Sequence, residues 1–486
     1  MSISTRTSIE DLEKIKIIQG GMGLGVSGWR LAKKVSSYIP TGYDSSPCLG
    51  LISATAPDVL LTRGLQNGDK NGELREALSH FPNQEIAKKI YDKFFIEGGK
   101  SSEKPYRLNP FPTFEKTGDL EFTLASTDLE DVLVTGAFTE VYLAKKGHTN
   151  PIGANFLNKI GFAQLPTLYG AMLAGLDVAC IGAGFPRNIP EAISAFVSGE
   201  TARMALPVSG KPYSIVFDPK RFGKPQLPKP IFLAIIGNHL GLRGVSNADG
   251  YVFEGELAGG HNFPPRSKSL NDIGEPLFGE EDKINFGIVN STLSRRVTVP
   301  PFWLGGNYST RLQEALSQGA AGVQVGTPFA LCNDSNALPE LKQQAIEEIF
   351  RGTKVYTSAR ASPTGFPFKE LPVPGTICTQ EVYEARERVC NLGFLVSIHE
   401  DSNGKLYTRC PAEPVNAFVR KGGSLEETVG RQCLCNGLCS TIGLGMPGEK
   451  PIVTLGANVD AVKDLVNKHG TEYSAENVID YVLGHN

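Results

Sequence analysis

Eight short apolar runs, each ending in glycine or a small polar residue, constrain this chain more than any other feature. They lie at 17–19, 49–54, 152–157, 178–183, 232–237, 250–254, 302–305 and 322–326. Most are separated by segments long enough for a helix. That pattern predicts parallel β/α units, because a parallel crossover needs a dozen or more residues and buries the sheet on both faces. Eight such units suggest a closed (β/α)8 TIM barrel, with a doubly wound open sheet as the alternative.

Helices are expected over 8–16, 29–35 (with Ser27 as cap), 73–79, 86–95, 138–146, 339–351 and 414–420. Two segments exceed a minimal barrel. Residues 56–150 separate the second and third runs and read as an insertion, and residues 358–486 follow the last barrel helix. The expected division is therefore a barrel over 1–357, insertion included, and a Cys-rich C-terminal extension or cap over 358–486. A length of 486 residues exceeds what one core usually holds, which agrees with added parts.

Charge narrows the partners. Lys plus Arg number 48 against 51 for Asp plus Glu, so a net charge of −3 gives no bias toward nucleic acid or an anionic membrane surface. The first residues lack an apolar core of signal length, and no run approaches the length that spans a bilayer. A cytoplasmic protein is expected, with its nine cysteines mostly reduced. Cys390, Cys410, Cys433 and Cys435 could together offer four thiolates, but buried cysteine also packs as a small hydrophobe, and no metal is assigned.

Barrel enzymes build their sites from the loops after the strands, and here those exits hold the Gly, Asn and His residues. They are Gln19-Gly-Gly-Met22, Asn155, Gly182-Ala-Gly184, Ala258-Gly-Gly-His261, Gly305-Gly-Asn307 and Gln324-Val-Gly-Thr327. Glycines allow a sharp turn and close approach of backbone to a flat ligand, and the fourth exit delivers an imidazole, His261. A histidine after such a turn is also an ordinary hydrogen-bonded loop residue, and Glu254, Asn262 and Arg266 read mainly as structural. Glycine-rich turns after the seventh and eighth strands suit a phosphate. The letters Gly23-Leu-Gly25-Val-Ser-Gly28 match G-x-G-x-x-G, but no acidic partner stands at the Rossmann spacing, and that reading is rejected.

In this order Gln19-Gly-Gly-Met22, Asn155, Glu254-Gly-Glu-Leu-Ala-Gly-Gly-His261, Gly305-Gly306 and Gly322-Val-Gln-Val-Gly-Thr327 resemble the nitronate monooxygenase (2-nitropropane dioxygenase-like) family. The likeness covers about residues 15–350. Thr135–His148, Gln164–Gly170 and Ala361–Phe368 look like its longer subgroup, related to enoyl reductases of polyunsaturated fatty acid and polyketide synthases. The resemblance implies a β/α barrel holding FMN, with His261 as the catalytic residue. It implies flavin contacts at Gly20, Gly21, Met22, Asn155, Gly182, Gly259, Gly260, Gln324, Gly326 and Thr327, and phosphate contacts at Gly305 and Gly306.

The chemistry implied is FMN-dependent oxidation of alkyl nitronates with O2. His261 would hold the anion as imidazolium or remove the α-proton of a nitroalkane. One alternative is an enoyl reductase acting in trans on a synthase, with NAD(P)H as electron donor and an acyl carrier protein as partner. Another is a flavin-binding partner subunit without turnover. A small-molecule substrate is expected in the first two cases, and a homo-oligomer is left open.

Overall fold

The computed structural model describes residues 7–223 and 226–485. All eight apolar runs are strands: β1 Ile17–Gln19, β2 Cys48–Ser53, β3 Ile152–Leu157, β4 Val178–Gly182, β5 Ile231–Ile236, β6 Gly250–Phe253, β7 Phe302–Leu304 and β8 Gly322–Val325. Each pairs in parallel with its chain neighbours, and β1 pairs with both β2 and β8, so the sheet closes. Ile17 sits opposite Val323 on one side and Cys48 on the other. Closure removes the doubly wound alternative and leaves no sheet edge to protect.

The strands are buried on both faces, which is why they read as nearly unbroken apolar runs rather than alternating ones. Ile18, Leu49, Leu51, Val178, Leu233, Ile235, Val252 and Trp303 form one packed cluster. Leu12 and Ile15 join it from the segment that precedes β1, and the Trp303 indole donates to the Ile15 carbonyl at 2.9 Å. The N-terminal segment therefore stops the barrel at the end opposite the strand exits.

Several expectations need correction. Ser27 does not cap the helix Trp29–Ser37; its N-cap is Gly28, without a side-chain cap. Ser27 lies one residue too early, inside the glycine loop, where its Oγ accepts from the Met22 amide at 2.6 Å. The first helix is only Ile9–Glu13, capped by Ser8. The helix expected at 138–146 is the last part of Thr127–Lys145, whose start is capped by Ser126.

A four-stranded sheet escaped the sequence pattern altogether. It joins Phe114–Gly118 and Glu121–Leu124 to Ser214–Phe217 and Ala202–Ala205. These strands are short, half exposed and polar, so their apolar signal is weak. Two hairpins, Tyr356–Ser358 with Phe368–Glu370 and Ser397–Glu400 with Leu406–Arg409, follow the barrel. Among the described residues no helix is long and apolar enough to cross a membrane.

Candidate active site

A cavity of about 240 Å³ opens at the C-terminal ends of the strands. Its wall includes Gly20, Gly21, Met22, Asn155, Gly182, Gly259, Gly260, His261, Gly306, Gln324, Gly326 and Thr327. Gly305 lies just behind the wall, where a Cβ would come 3.3 Å from Cγ of Glu254. Residues spread over 308 positions of sequence thus meet because each lies late in a barrel strand or in the loop after one.

The floor depends on one pairing. A Cβ on Gly21 would stand 2.1 Å from Cβ of Asn155, so only glycine fits there. Asn155 Nδ2 donates to the Gly21 carbonyl at 3.1 Å, while its Oδ1 is buried without a partner. An N–H on a bound ring would satisfy that oxygen. Gly20 continues the barrel ladder by donating to the Val325 carbonyl at 2.9 Å. At β7 and β8 the amides of Gly306, Asn307, Gly326 and Thr327 donate to no acceptor among the described residues. Their unspent N–H groups suit a phosphate.

The roof comes from beyond the barrel. Gly456 donates to Thr327 Oγ1 at 2.8 Å, Thr454 Oγ1 accepts from Gly260 at 2.9 Å, and Ala457 donates to the Leu257 carbonyl at 2.9 Å. A Cβ on Gly259 would meet the Gly456 amide at 2.9 Å, which explains why a small residue is needed at this crossing. Phe368, Phe394, Leu434, Leu438, Ile452 and Val453 complete the wall.

His261 is held from that same side. Its Nε2 lies 2.7 Å from Ser362 Oγ, which in turn is 2.8 Å from Thr364 Oγ1. The ring meets Phe368 edge-on at 5.0 Å, and Asn262 fixes the backbone by donating to the Pro367 carbonyl. Desolvation first, and then the charge of Lys159, hold the imidazole well below its ordinary pKa. His261 is therefore neutral near pH 7, which disfavours the imidazolium role. Glu254, in the same wall, has no ionic partner among the described residues, and burial pushes its carboxyl up to about 7.

Arg266 is exposed and stands outside the cavity wall, and Asn262 is buried with Nδ2 on the Ala258 carbonyl, both as structural residues would be. Lys159, Ser362, Thr454 and Gly456 carried no signal of their own. Position gave the nearest hint, since Lys159 follows the β3 exit and Ser362 lies in the singled-out stretch 361–368. Cys390, Cys410, Cys433 and Cys435 line one small apolar cleft. Among the described residues no three or more His, Cys, Asp or Glu side chains are grouped to hold a metal.

Fold and site define a parallel β/α-barrel protein with a glycine-floored, histidine-bearing pocket at the strand exits. Its residues 236–364 match the family model for nitronate monooxygenase, the family its motifs resemble. A stretch of 107 residues is 35% identical to a probable nitronate monooxygenase of Bacillus subtilis (strain 168). That match spans 22% of this chain and only 28% of the relative's length. Structural alignment to FabK from Thermotoga maritima covers 78% of each chain at 17% identity, with a TM-score of 0.39. Nitroalkane oxidase from Streptomyces ansochromogenes aligns over 99% of this chain and 97% of its own at 13% identity, TM-score 0.45. The enoyl reductase domain of MlnA from the macrolactin cluster of Bacillus amyloliquefaciens aligns over 98% and 95% at 10%, TM-score 0.43.

Proposed function

We propose that the chain is an FMN-dependent oxidoreductase that oxidises alkyl nitronates with O2. The observation that carries this reading is His261, an imidazole held well below its ordinary pKa in the wall of the same pocket as the glycine-cleared floor. Flavin mononucleotide, when bound, supplies the redox chemistry by accepting electrons from the substrate and passing them to dioxygen. The residues present fit it: Gly20, Gly21 and Met22 give a flat floor, Asn155 offers an unpartnered oxygen, and the free amides at Gly306 and Gly326 offer donors to a phosphate.

The chain's own part is positioning and proton handling. A desolvated neutral imidazole accepts a proton, so His261 can remove the α-proton of a nitroalkane and can orient a substrate that arrives as the nitronate. Ser362 fixes the ring by bonding Nε2, and residues 452–456 with Phe394 and Leu434 give the same pocket a largely apolar upper wall.

A second reading, enoyl thioester reduction with NAD(P)H and an acyl carrier protein as partner, has one observation in its favour. The cavity wall continues as an apolar lining of Leu331, Leu341, Leu434, Leu438 and Ile452, which suits an acyl chain. Anaerobic mixing of the yellow protein with propionate 3-nitronate, NADH or NADPH separates the two readings. Bleaching by the nitronate alone, with nitrite release in air, is the expected result. Bleaching by a nicotinamide and not by the nitronate favours the reductase, and a protein that takes up no FMN refutes both.

A further inference from the structure

We propose that Cys433 and Cys435 are a peroxide-sensitive thiol pair built into the cavity wall, closing to a disulfide across Leu434. The inference goes beyond the proposed oxidation and needs no particular substrate for it.

The nine cysteines fall into different surroundings. Cys48 and Cys180 are buried singly in β2 and β4, and desolvation pushes the Cys48 thiol up to about 12, which leaves it inert. Cys390, Cys410, Cys433 and Cys435 instead line one small cleft, closed by Pro363, Ala412, Leu434 and the stretch 392–396. Among the described residues no charged side chain lines it. Cys410 and Cys433 belong to one packed cluster, and Cys435 packs against it.

Cys433 is the N-cap of the helix Leu434–Thr441, and Cys435 lies in its first turn. The N-cap backbone is not yet helical, at φ −79° and ψ 86°, so both side chains reach the same cleft with Leu434 between them. Cys435 is half-buried and also lines the large cavity whose wall includes His261. Leu434, Phe394 and Leu395 line both spaces as well. A solute in the cavity therefore meets a sulfur that has a second sulfur behind it.

The chemistry of the pair suits that position. The Cys435 S–H donates to the Cys433 sulfur, and the Arg386 guanidinium adds a weaker attraction, so Cys433 gives up a proton more readily than an ordinary thiol while Cys435 holds its own. Two sulfurs that share one proton exchange it, which puts thiolate on the cavity side as well. That thiolate on Cys435 attacks one oxygen of hydrogen peroxide; the O–O bond breaks, hydroxide leaves and Cys435 becomes a sulfenic acid. The Cys433 thiolate then attacks the Cys435 sulfur, the S–S bond forms, the S–O bond breaks and a second hydroxide leaves. The two hydroxides take up the two thiol protons as water. Two thiols lose two electrons in all, and the peroxide gains them. Closure brings the sulfurs to about 2.05 Å, well inside van der Waals contact, so the chain around Leu434 must turn and the cavity wall turns with it.

The test treats flavin-loaded protein, reduced and freed of reductant, with one equivalent of hydrogen peroxide at pH 7.5, then alkylates it and maps its peptides by mass spectrometry. Seven of the nine thiols should remain open to alkylation, and the peptide holding both residues should lose two hydrogens in mass. Cys435→Ser should react at least about tenfold more slowly and form no link. Cys433→Ser should stop at a sulfenic acid that dimedone traps on Cys435, and Cys410→Ser should still close the link. Alkylation of all nine thiols after peroxide, a link from Cys433 to Cys410, or about one zinc ion per chain shielding the four sulfurs of the cleft overturns the proposal. The visible flavin band should shift on closure and return with dithiothreitol; an unmoved band in fully linked protein overturns the tie to the cavity wall. Protein that takes up no FMN yet closes the link supports the pair and overturns the proposed oxidation.

Discussion

Ser362 Oγ and His261 Nε2 lie 2.7 Å apart, so a residue 101 positions downstream of the histidine sets the orientation of its ring. Ser362→Ala removes this tether without adding bulk. The expected result is a fall in kcat of up to about a hundredfold, the scale of a small misplacement of a reacting group, with KM nearly unchanged. Ser362→Thr should recover part of the loss. Steady-state kinetics on all three proteins with one nitronate check this.

His261 sits well below its ordinary pKa, and the base is active when deprotonated. The rate with a neutral nitroalkane should therefore stay flat as pH falls from 8 to about 6, where an unperturbed histidine would already be protonating. His261→Asn should cost about 10² to 10⁴ in that reaction, the range for losing a general base, and far less with a preformed nitronate. Comparing pH profiles of kcat/KM for the two substrates tests the assignment. Equal losses with both would place His261 outside proton removal.

Gly21→Ala forces a methyl into the place of the Asn155 side chain. Because the clash is with Cβ rather than a flexible tip, Asn155 must leave its position, and the floor is lost. The variant should purify with little flavin while keeping its far-UV circular dichroism. The ratio of flavin to protein absorbance reads this directly.

The Glu254 carboxyl, raised from an ordinary 4.5 to about 7, binds a proton more tightly folded than unfolded. Its contribution to stability is complete below pH 4.5 and is lost as pH rises through 7. Glu254→Gln should remove this component, so that its Tm declines less than wild type between pH 4.5 and 7. Parallel slopes from thermal melts across that range would contradict the assignment.

The barrel was legible because parallel strands buried on both faces leave continuous apolar runs such as Ile231–Ile236, and because their exits concentrate glycine. Gly21 and Asn155 could be read as neighbours of one pocket from their places just after β1 and late in β3. The sheet of Phe114–Gly118 with its partners could not, since its strands are half wet and carry charges such as Glu115 and Lys116. The roof was equally hidden: Thr454 and Gly456 act through a hydroxyl and a backbone amide, and neither has a chemical signature until the fold brings it to Gly260 and Thr327.

The Trp303 indole on the Ile15 carbonyl also sets the shape of the pocket at the other end. With the lower end stoppered, the pocket is a cup rather than a tube, walled on its upper side by residues 452–456. A ribosome completes β8 long before it delivers residues 452–456, so the cup is made before its upper wall.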